Sequence, residues 1–145
     1  MKVFYRYSFI VISISFLMSS CKKDSVSDVK SYAGVYVGDV TEVEGSMPTT
    51  TVIKNCTIII TPTDNSGQVT VEADKIFFTV KIIGNINGSN LTLTQKETNN
   101  GNTISSKSYG SASFSANTMS IDFKQDDYLN GKLYYQSKWT GTLKK

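Results

Sequence analysis

Few side chains in this sequence can act as nucleophiles, bases or metal ligands. The chain has no histidine, so it lacks a serine–histidine couple, a histidine metal ligand and a proton carrier that titrates near neutral pH. Its two cysteines are Cys21 and Cys56, and Cys56 lies in the β-branched run 52–60. A free cysteine in such a run is typically a small buried hydrophobic residue. We therefore predict that the protein is not an enzyme and binds no cofactor.

The adjacent carboxylates Asp126 and Asp127 are the remaining candidates for acid–base chemistry or Ca²⁺ binding. They lie in the segment 125–131, which we interpret as a loop, and adjacent loop residues need not converge on one point. The segment also lacks the spaced aspartates and the distal glutamate of an EF-hand loop. We predict turn residues here and no metal site.

Cys21 follows a segment of a different kind. Lys2 and Arg6 precede ten mostly apolar residues, 9–18, which are too few to span a bilayer as a helix. Small residues Ser19 and Ser20 stand directly before the cysteine, and polar residues follow it. This order predicts a cleavable signal peptide over residues 1–20, with cleavage before Cys21.

The run Met18-Ser19-Ser20-Cys21 resembles the lipobox of bacterial lipoproteins. That resemblance implies a diacylglycerol thioether and an N-acyl chain on Cys21, and stable anchoring requires more than one chain. The following residues resemble the mature start of Bacteroidetes lipoproteins, and Lys22 resembles the class that is sorted to the outer membrane. The implied location is the bacterial cell envelope at the outer membrane, with the periplasmic and the surface face both left open.

Charge and composition limit the partners of the remaining chain. Loss of residues 1–20 removes two positive charges, which lowers the formal net charge from +3 to about +1. No basic run is longer than a pair, so we predict that the domain itself binds neither nucleic acid nor an anionic membrane. Residues 21–30 are polar and contain no aromatic residue, which predicts a flexible tether before a single domain at 31–145.

Residues 31–145 are rich in β-branched and aromatic residues between turn signals and show no helical periodicity. Asn-Gly pairs at 87–88, 100–101 and 130–131 favour type I′ hairpins. These signals predict an all-β fold, an eight-stranded antiparallel meander that closes into a barrel, with an open β-sandwich as the alternative. The predicted strands span 33–44, 50–61, 68–73, 75–86, 90–97, 103–115, 118–125 and 132–143.

Alternation along the strands assigns the inward-facing residues. The sixth strand differs because its inward residues are mostly small, as a crowded or sharply curved wall requires. The predicted inward residues are Ile76, Phe78, Val80 and Ile82; Leu91 and Leu93; Ile104, Ser106, Ser108, Gly110, Ala112 and Phe114; Met119, Ile121 and Phe123; and Leu133, Tyr135, Ser137, Trp139, Gly141 and Leu143.

The opening run 34–38, Gly-Val-Tyr-Val-Gly, and the closing run 139–145 resemble those of small Bacteroidetes lipoproteins with calycin-like or lipocalin-like β-barrels. Tyr36 stands where true lipocalins carry a tryptophan. The resemblance implies binding of a small molecule or a lipid and supplies no binding residues of its own.

Three functions follow as hypotheses. Inward aromatic residues, Tyr36, Phe78, Tyr135 and Trp139, would line a pocket for a small lipophilic ligand, although their bulk also suits a filled interior. A structural or adaptor lipoprotein that docks on an outer-membrane protein complex is the second hypothesis. A glycan-binding surface module is the third, with the outward-facing Tyr134 as its stacking residue and Tyr109 and Tyr128 nearby.

Overall fold

The computed structural model of the protein describes residues 26–45, 49–76, 81–99 and 104–145. Within these ranges, one short helix precedes eight strands. The elements are α1 (Val26–Tyr32), β1 (Gly34–Glu44), β2 (Thr49–Pro62), β3 (Gln68–Ala73), β4 (Ile82–Asn87), β5 (Asn90–Asn99), β6 (Ile104–Ser115), β7 (Thr118–Leu129) and β8 (Lys132–Lys144).

Each strand pairs antiparallel with the next, and β1 also pairs with β8, so the strand order is that of a closed barrel. The β1–β8 seam runs from Val37 opposite Lys144 to Glu44 opposite Ser137. The prediction of an all-β fold with eight antiparallel strands is confirmed. Closure pairs the first strand with the last and leaves no edge strand unpaired at the seam.

Two ends of this sheet differ in what closes them. At one end lie α1, the loop 63–67, the turns 88–89 and 116–117, and the last residue, Lys145; we call it the capped end. The end of β1, the start of β8 and the turn 130–131 lie at the opposite end. Because β1 runs from Gly34 to Glu44, a residue's position along β1 tells which end it is near.

The interior at the capped end is filled by apolar side chains that are almost entirely buried. Interiors of this kind pack as densely as organic crystals, so burial here is the main source of stability. The buried apolar residues are Val29, Tyr36, Val40, Cys56, Ile58, Ile60, Val69, Val71, Ile76, Ile82, Leu91, Leu93, Ala112, Phe114, Met119, Ile121, Phe123, Trp139 and Leu143.

Helix α1 lies against this end and belongs to the core. Val29 is 6% exposed, and the Tyr32 ring stacks on Phe114 with 4.4 Å between ring centroids. The Tyr36 hydroxyl donates a hydrogen bond of 2.9 Å to the carbonyl oxygen of Tyr32. The predicted flexible tether over 21–30 is therefore wrong for residues 26–30, because Val29 buries apolar surface that a polar tether would not have. Residues 1–25, with Cys21, lie outside the described residues.

Strand boundaries agree with the prediction except at β4 and β7. Residues 74–76 form a bend rather than the start of β4, and the Lys75 ammonium donates to the carbonyl oxygens of Lys54 and Asn55. Phe78 and Val80 lie outside the described residues. Strand β7 continues through Asp126 and Asp127, which were assigned to a loop, because both carboxylates find hydrogen-bond partners in the sheet.

Turn chemistry is confirmed at one of the Asn-Gly pairs. Asn130 and Gly131 both have positive φ, 52° and 74°, between paired Leu129 and Lys132. At the first pair, 87–88, the two-residue turn consists of residues 88–89 instead, because Asn87 is paired with Asn90. The pair at 100–101 lies outside the described ranges.

Side-chain direction follows the predicted alternation over most of the sheet. Leu133 is an exception, since it was predicted to face inward and is exposed. Ile104 keeps the inward register of β6 but is also exposed, because it is the first residue of its strand. The register of β7 with β8 shifts between Asp127 and Tyr128, and this irregularity changes which face Leu133 occupies. The small-residue wall of β6 has a physical reason at Gly110, whose φ is +141° and whose added Cβ would collide with the carbonyl oxygen of Asp122.

Candidate functional site

Polar side chains replace apolar ones in the interior at the end opposite the cap. Seven neighbouring strand positions continue the inward alternation of buried residues but carry groups that form hydrogen bonds. We call Glu42, Glu44, Gln125, Asp127, Tyr135, Ser137 and Trp139 the polar cluster, and its end of the sheet the polar end. The sheet register joins them: Glu42 lies opposite Trp139, Glu44 opposite Ser137, and Asp127 opposite Tyr135.

Solvent reaches this part of the interior. Glu42, Glu44, Asp127 and Tyr135 are half-buried, whereas inward residues at the capped end, such as Met119 and Leu143, are fully buried. These four side chains lie at the open end of the sheet, whereas Gln125, Ser137 and Trp139 of the same cluster are buried.

The central contact of the cluster joins Trp139 to Glu42. The indole Nε1–H of Trp139 donates a hydrogen bond of 2.7 Å to Oε1 of Glu42. Desolvation raises the pKa of the Glu42 carboxyl above its ordinary value, the bond from Trp139 opposes that rise, and the charge of Glu44 adds to it. Glu42 is thus held in place by a donor that also lowers the cost of its charge.

Tyr135 and Glu44 form the outer part of the cluster. Desolvation, followed by a hydrogen bond to the Glu44 carboxylate, raises the pKa of Tyr135, while Ser137 acts in the opposite direction. The tyrosine therefore stays protonated and can donate its O–H to a carboxylate.

Gln125 and Ser137 are the buried polar residues of the described chain. Nε2 of Gln125 donates a hydrogen bond of 3.0 Å to Oδ1 of Asp127. The cluster as a whole offers carboxylate oxygens as acceptors beside the rings of Trp139 and Tyr135. Among the described residues, no group of three or more histidine, cysteine, aspartate or glutamate side chains could hold a metal ion.

The pocket expected from Tyr36, Phe78, Tyr135 and Trp139 does not form as one site. Tyr135 and Trp139 lie in the polar cluster, whereas Tyr36 is buried at the capped end against Phe114. Glu42, the partner of Trp139, follows Tyr36 by six residues along β1, which corresponds to about 20 Å at 3.3 Å per residue. Alternation assigned the correct face to these residues, but not their height in the barrel. Phe78 lies outside the described residues.

Cys56 is buried in the core, as its β-branched surroundings predicted. Desolvation raises the pKa of its thiol to about 11, and the negative charge of Asp74 and a hydrogen bond with it contribute further. The thiolate that a nucleophile requires is therefore scarce near neutral pH.

The two adjacent aspartates point to opposite faces of β7. Asp127 faces inward and accepts the bond from Gln125, whereas Asp126 faces outward and accepts bonds from the Tyr109 hydroxyl at 3.0 Å and from Nε2 of Gln136 at 2.6 Å. Desolvation and the bond to Asp126 raise the pKa of Tyr109. The pair cannot act together because a strand separates its carboxylates.

Exposed apolar side chains gather at the polar end around the β7–β8 turn. Ile104 pairs with Leu129, and Tyr128 with Leu133. Leu133 is 55% exposed and Tyr134 is 75% exposed. We call Ile104, Leu129, Leu133 and Tyr134 the hairpin patch. Sequence alternation missed this patch because it does not show that Ile104 is exposed at the end of its strand or that the register shift moves Leu133.

A shallow groove of about 430 Å³ lies on the outer wall of β5, β6 and β7. Short polar side chains dominate its lining, among them Asn90, Thr92, Ser111 and Asp122, and no aromatic residue belongs to it. A glycan site typically presents an aromatic ring for the sugar to stack on. Among Tyr109, Tyr128 and Tyr134, only Tyr134 has a side chain that is mostly exposed. The hydroxyl of Tyr109 is bound to Asp126.

Comparison of the chain with models of protein families, with curated proteins and with solved structures gives no match. Within the described ranges, no helix has the length and apolar character needed to cross a bilayer.

Proposed function

We propose that the protein is a lipid-anchored, non-enzymatic lipoprotein of the bacterial cell envelope, with a calycin-like barrel that binds a small lipophilic ligand at its polar end. The proposed lipid anchor and cell-envelope location rest on the sequence around Cys21 and its resemblance to a lipobox. The outer membrane is the proposed location, because Lys22 directly after Cys21 resembles the start of lipoproteins that are sorted to that membrane.

One observation carries the ligand-binding proposal. Four inward side chains at the polar end, Glu42, Glu44, Asp127 and Tyr135, stay partly exposed, while inward residues at the capped end such as Met119 and Leu143 are fully buried. A ligand that enters here would bury apolar surface against Trp139 and Tyr135. Apolar pockets with a few convergent polar groups are the usual form of small-molecule sites.

The charges of the cluster narrow the ligand class. Glu42, Glu44 and Asp127 offer acceptors and negative charge, so a ligand with an apolar body and an amine or hydroxyl donor suits the site best. A carboxylic acid such as a free fatty acid would meet like charge.

Trp139 is the one tryptophan of the chain and reports on this site directly. Titration with a long-chain alkylamine should shift and partly quench Trp139 emission, and the matched fatty acid should have a much smaller effect. Glu42→Gln should weaken the amine response about tenfold, as expected for loss of a charged hydrogen bond. Asp122→Asn, which removes an outer-wall carboxylate, serves as the control. A flat titration with every probe would refute ligand binding at Trp139.

The anchoring proposal has its own test. Mass spectrometry of protein extracted from cell membranes should show a chain that starts at Cys21 and carries acyl groups on it. Cys21→Ser should release the protein from the membrane fraction. An unmodified full chain in the soluble fraction would refute the proposed lipid anchor at Cys21.

The hairpin patch favours a second candidate, an adaptor that docks on an envelope protein complex. Four large apolar side chains around one turn exceed the scattered exposure that is normal for a soluble surface. Cross-linking from Lys132, beside the patch, should capture a membrane protein, and Leu133→Ser with Tyr134→Ser should abolish the adduct. Persistence of the adduct in that variant would exclude the patch as the docking surface.

A further inference from the structure

We infer that the capped end of the barrel faces an anionic phospholipid surface through Lys30, Lys144 and Lys145, and that the polar end faces away from the bilayer. This inference rests on the proposed anchoring at Cys21. It adds an orientation, and a second membrane contact made by the folded domain itself.

The first argument is the length of chain between the anchor and the fold. Helix α1 begins at Val26, so four residues separate it from Cys21. Five Cα–Cα steps span at most about 18 Å. A lipid on Cys21 therefore keeps the first turn of α1 close to the headgroup region.

The second argument is that α1 cannot swing away from the barrel without breaking contacts. Its Val29 is buried, its Tyr32 stacks on Phe114, and the Lys145 ammonium donates a hydrogen bond of 2.9 Å to the carbonyl oxygen of Ser31. The anchor is thus joined to the capped end by a short segment and a fixed helix, and the capped end stays near the membrane.

The third argument is charge. Lys30 lies next to Ser31, and the bond from Lys145 to Ser31 brings Lys145 beside it. Lys144 lies opposite Val37 at the same end of the sheet. Lys30, Lys144 and Lys145 are exposed, and none of them forms an ion pair within the described residues. Asp28 in α1 and Asp64 in the loop 63–67 offset part of this charge at the same end.

Lys30 is separated from Lys144 and Lys145 by more than a hundred positions, so the three lysines do not form a basic run in the sequence. The expectation that the domain has no affinity for anionic membranes followed from reading runs alone. Folding brings Lys145 beside α1, and each lysine near an anionic surface then strengthens binding roughly fivefold.

The opposite end is far from such a surface. Strand β7 has 12 residues, and at the tilt usual for small barrels it spans roughly 30 Å along the barrel axis. Glu42, Glu44 and the hairpin patch would then project away from the bilayer, where negative charge is not repelled by lipid phosphates and a partner can reach them.

Two single-cysteine labels test the orientation. Ser66→Cys places a fluorophore on a loop of the capped end, and Lys132→Cys places it at the polar end. Native Cys56 is buried and does not compete for the reagent. The acylated protein, which starts at Cys21, is reconstituted in vesicles of phosphatidylethanolamine and phosphatidylglycerol that carry a headgroup energy-transfer acceptor.

We expect stronger energy transfer from position 66 than from position 132, and a smaller difference at high salt or in phosphatidylcholine vesicles. The double variant Lys30→Gln with Lys144→Gln should reduce the difference in energy transfer between positions 66 and 132, because each lysine strengthens binding to an anionic surface roughly fivefold. Lys107→Gln with Lys124→Gln removes the same charge from the side wall and should leave this difference unchanged. Trp139 emission verifies that each variant is folded.

The outcomes separate the two proposals. Equal transfer from both labels, or stronger transfer from position 132, on acylated protein overturns the orientation and leaves the anchoring intact. An unmodified Cys21 in the mass spectrum of the native protein overturns the anchoring and this inference with it.

Discussion

Trp139 and Glu42 stand 97 positions apart in the chain and meet across the seam where the first strand pairs with the last, with 2.7 Å between Nε1 and Oε1. The same contact closes the sheet at the polar end and positions the ring and the carboxylate that define the candidate site. Glu42 therefore contributes both to the β1–β8 seam and to the candidate site.

The pH dependence of stability should reveal the state of Glu42. The pKa of its carboxyl is raised in the folded protein, so the folded state holds this proton more tightly than the unfolded state does. Its contribution to the free energy of unfolding is full below the unfolded pKa of about 4.5 and is lost as pH rises through the folded pKa. Urea unfolding from pH 3 to about pH 7 should show wild-type stability falling relative to Glu42→Gln. A difference that stays constant or rises with pH would contradict this assignment.

Substitution at Gly110 should be far more costly than substitution at another glycine of positive φ. Gly110 has φ +141°, and an added Cβ would lie 2.8 Å from Cα of Phe123, whereas at Gly88, with φ +58°, nothing lies within 4 Å. We expect Gly110→Ala to lower the free energy of unfolding by about 3 kcal/mol, and Gly88→Ala by about 1 kcal/mol, because both strain the backbone but one also displaces β7. Denaturant titration of both variants measures the difference, and equal losses would show that backbone strain alone decides the cost.

Helix α1 should contribute to the stability of the barrel. Tyr32→Ala removes the ring that stacks on Phe114, and we expect a loss of about 2 kcal/mol in the free energy of unfolding. Lys30→Ala, on the exposed face of the same helix, should change stability by less than about 0.5 kcal/mol. If Tyr32→Ala proves as mild as its control, α1 does not belong to the core.

Cys56 should resist thiol reagents in the native protein. Its pKa is raised to about 11 and its side chain is buried. At pH 8 only about one thiol in a thousand is ionised, so modification should await unfolding. A chromogenic disulfide should react slowly with the native thiol and within the mixing time after urea is added. Ser66→Cys provides an exposed thiol as the positive control, and equal rates at the two positions would place Cys56 at the surface.

The hairpin patch should contribute little to folding. Leu133→Ser and Tyr134→Ser replace side chains that are mostly in water, so we expect each to change the free energy of unfolding by less than about 0.5 kcal/mol. Val35→Ser, at an exposed apolar position near the capped end, is the matched control. A loss of more than about 2 kcal/mol at Leu133 would mean that the leucine packs in the folded protein.

Much of the sheet was predictable because its signals are local. Period-two alternation in 118–125 selects Met119, Ile121 and Phe123 as buried, and the structure agrees. Asn130-Gly131 predicts its own turn because both residues tolerate positive φ. The errors arose where a distant contact overrode local pattern. Lys75 is drawn to the carbonyls of β2, and the partners of Asp126 and Asp127 keep β7 extended beyond its apolar residues.

The amino-acid sequence by itself determined the fold class, the faces of most strands and the burial of Cys56, because each depends on neighbours a few residues away. Only the tertiary structure decided which residues share a height in the barrel. Pairing of β1 with β8 separates Tyr36 from Tyr135, joins Glu42 to Trp139 and brings Lys30 beside Lys145. Alternation repeats identically along a strand and therefore contains no information on height, whereas the registers of eight paired strands specify it.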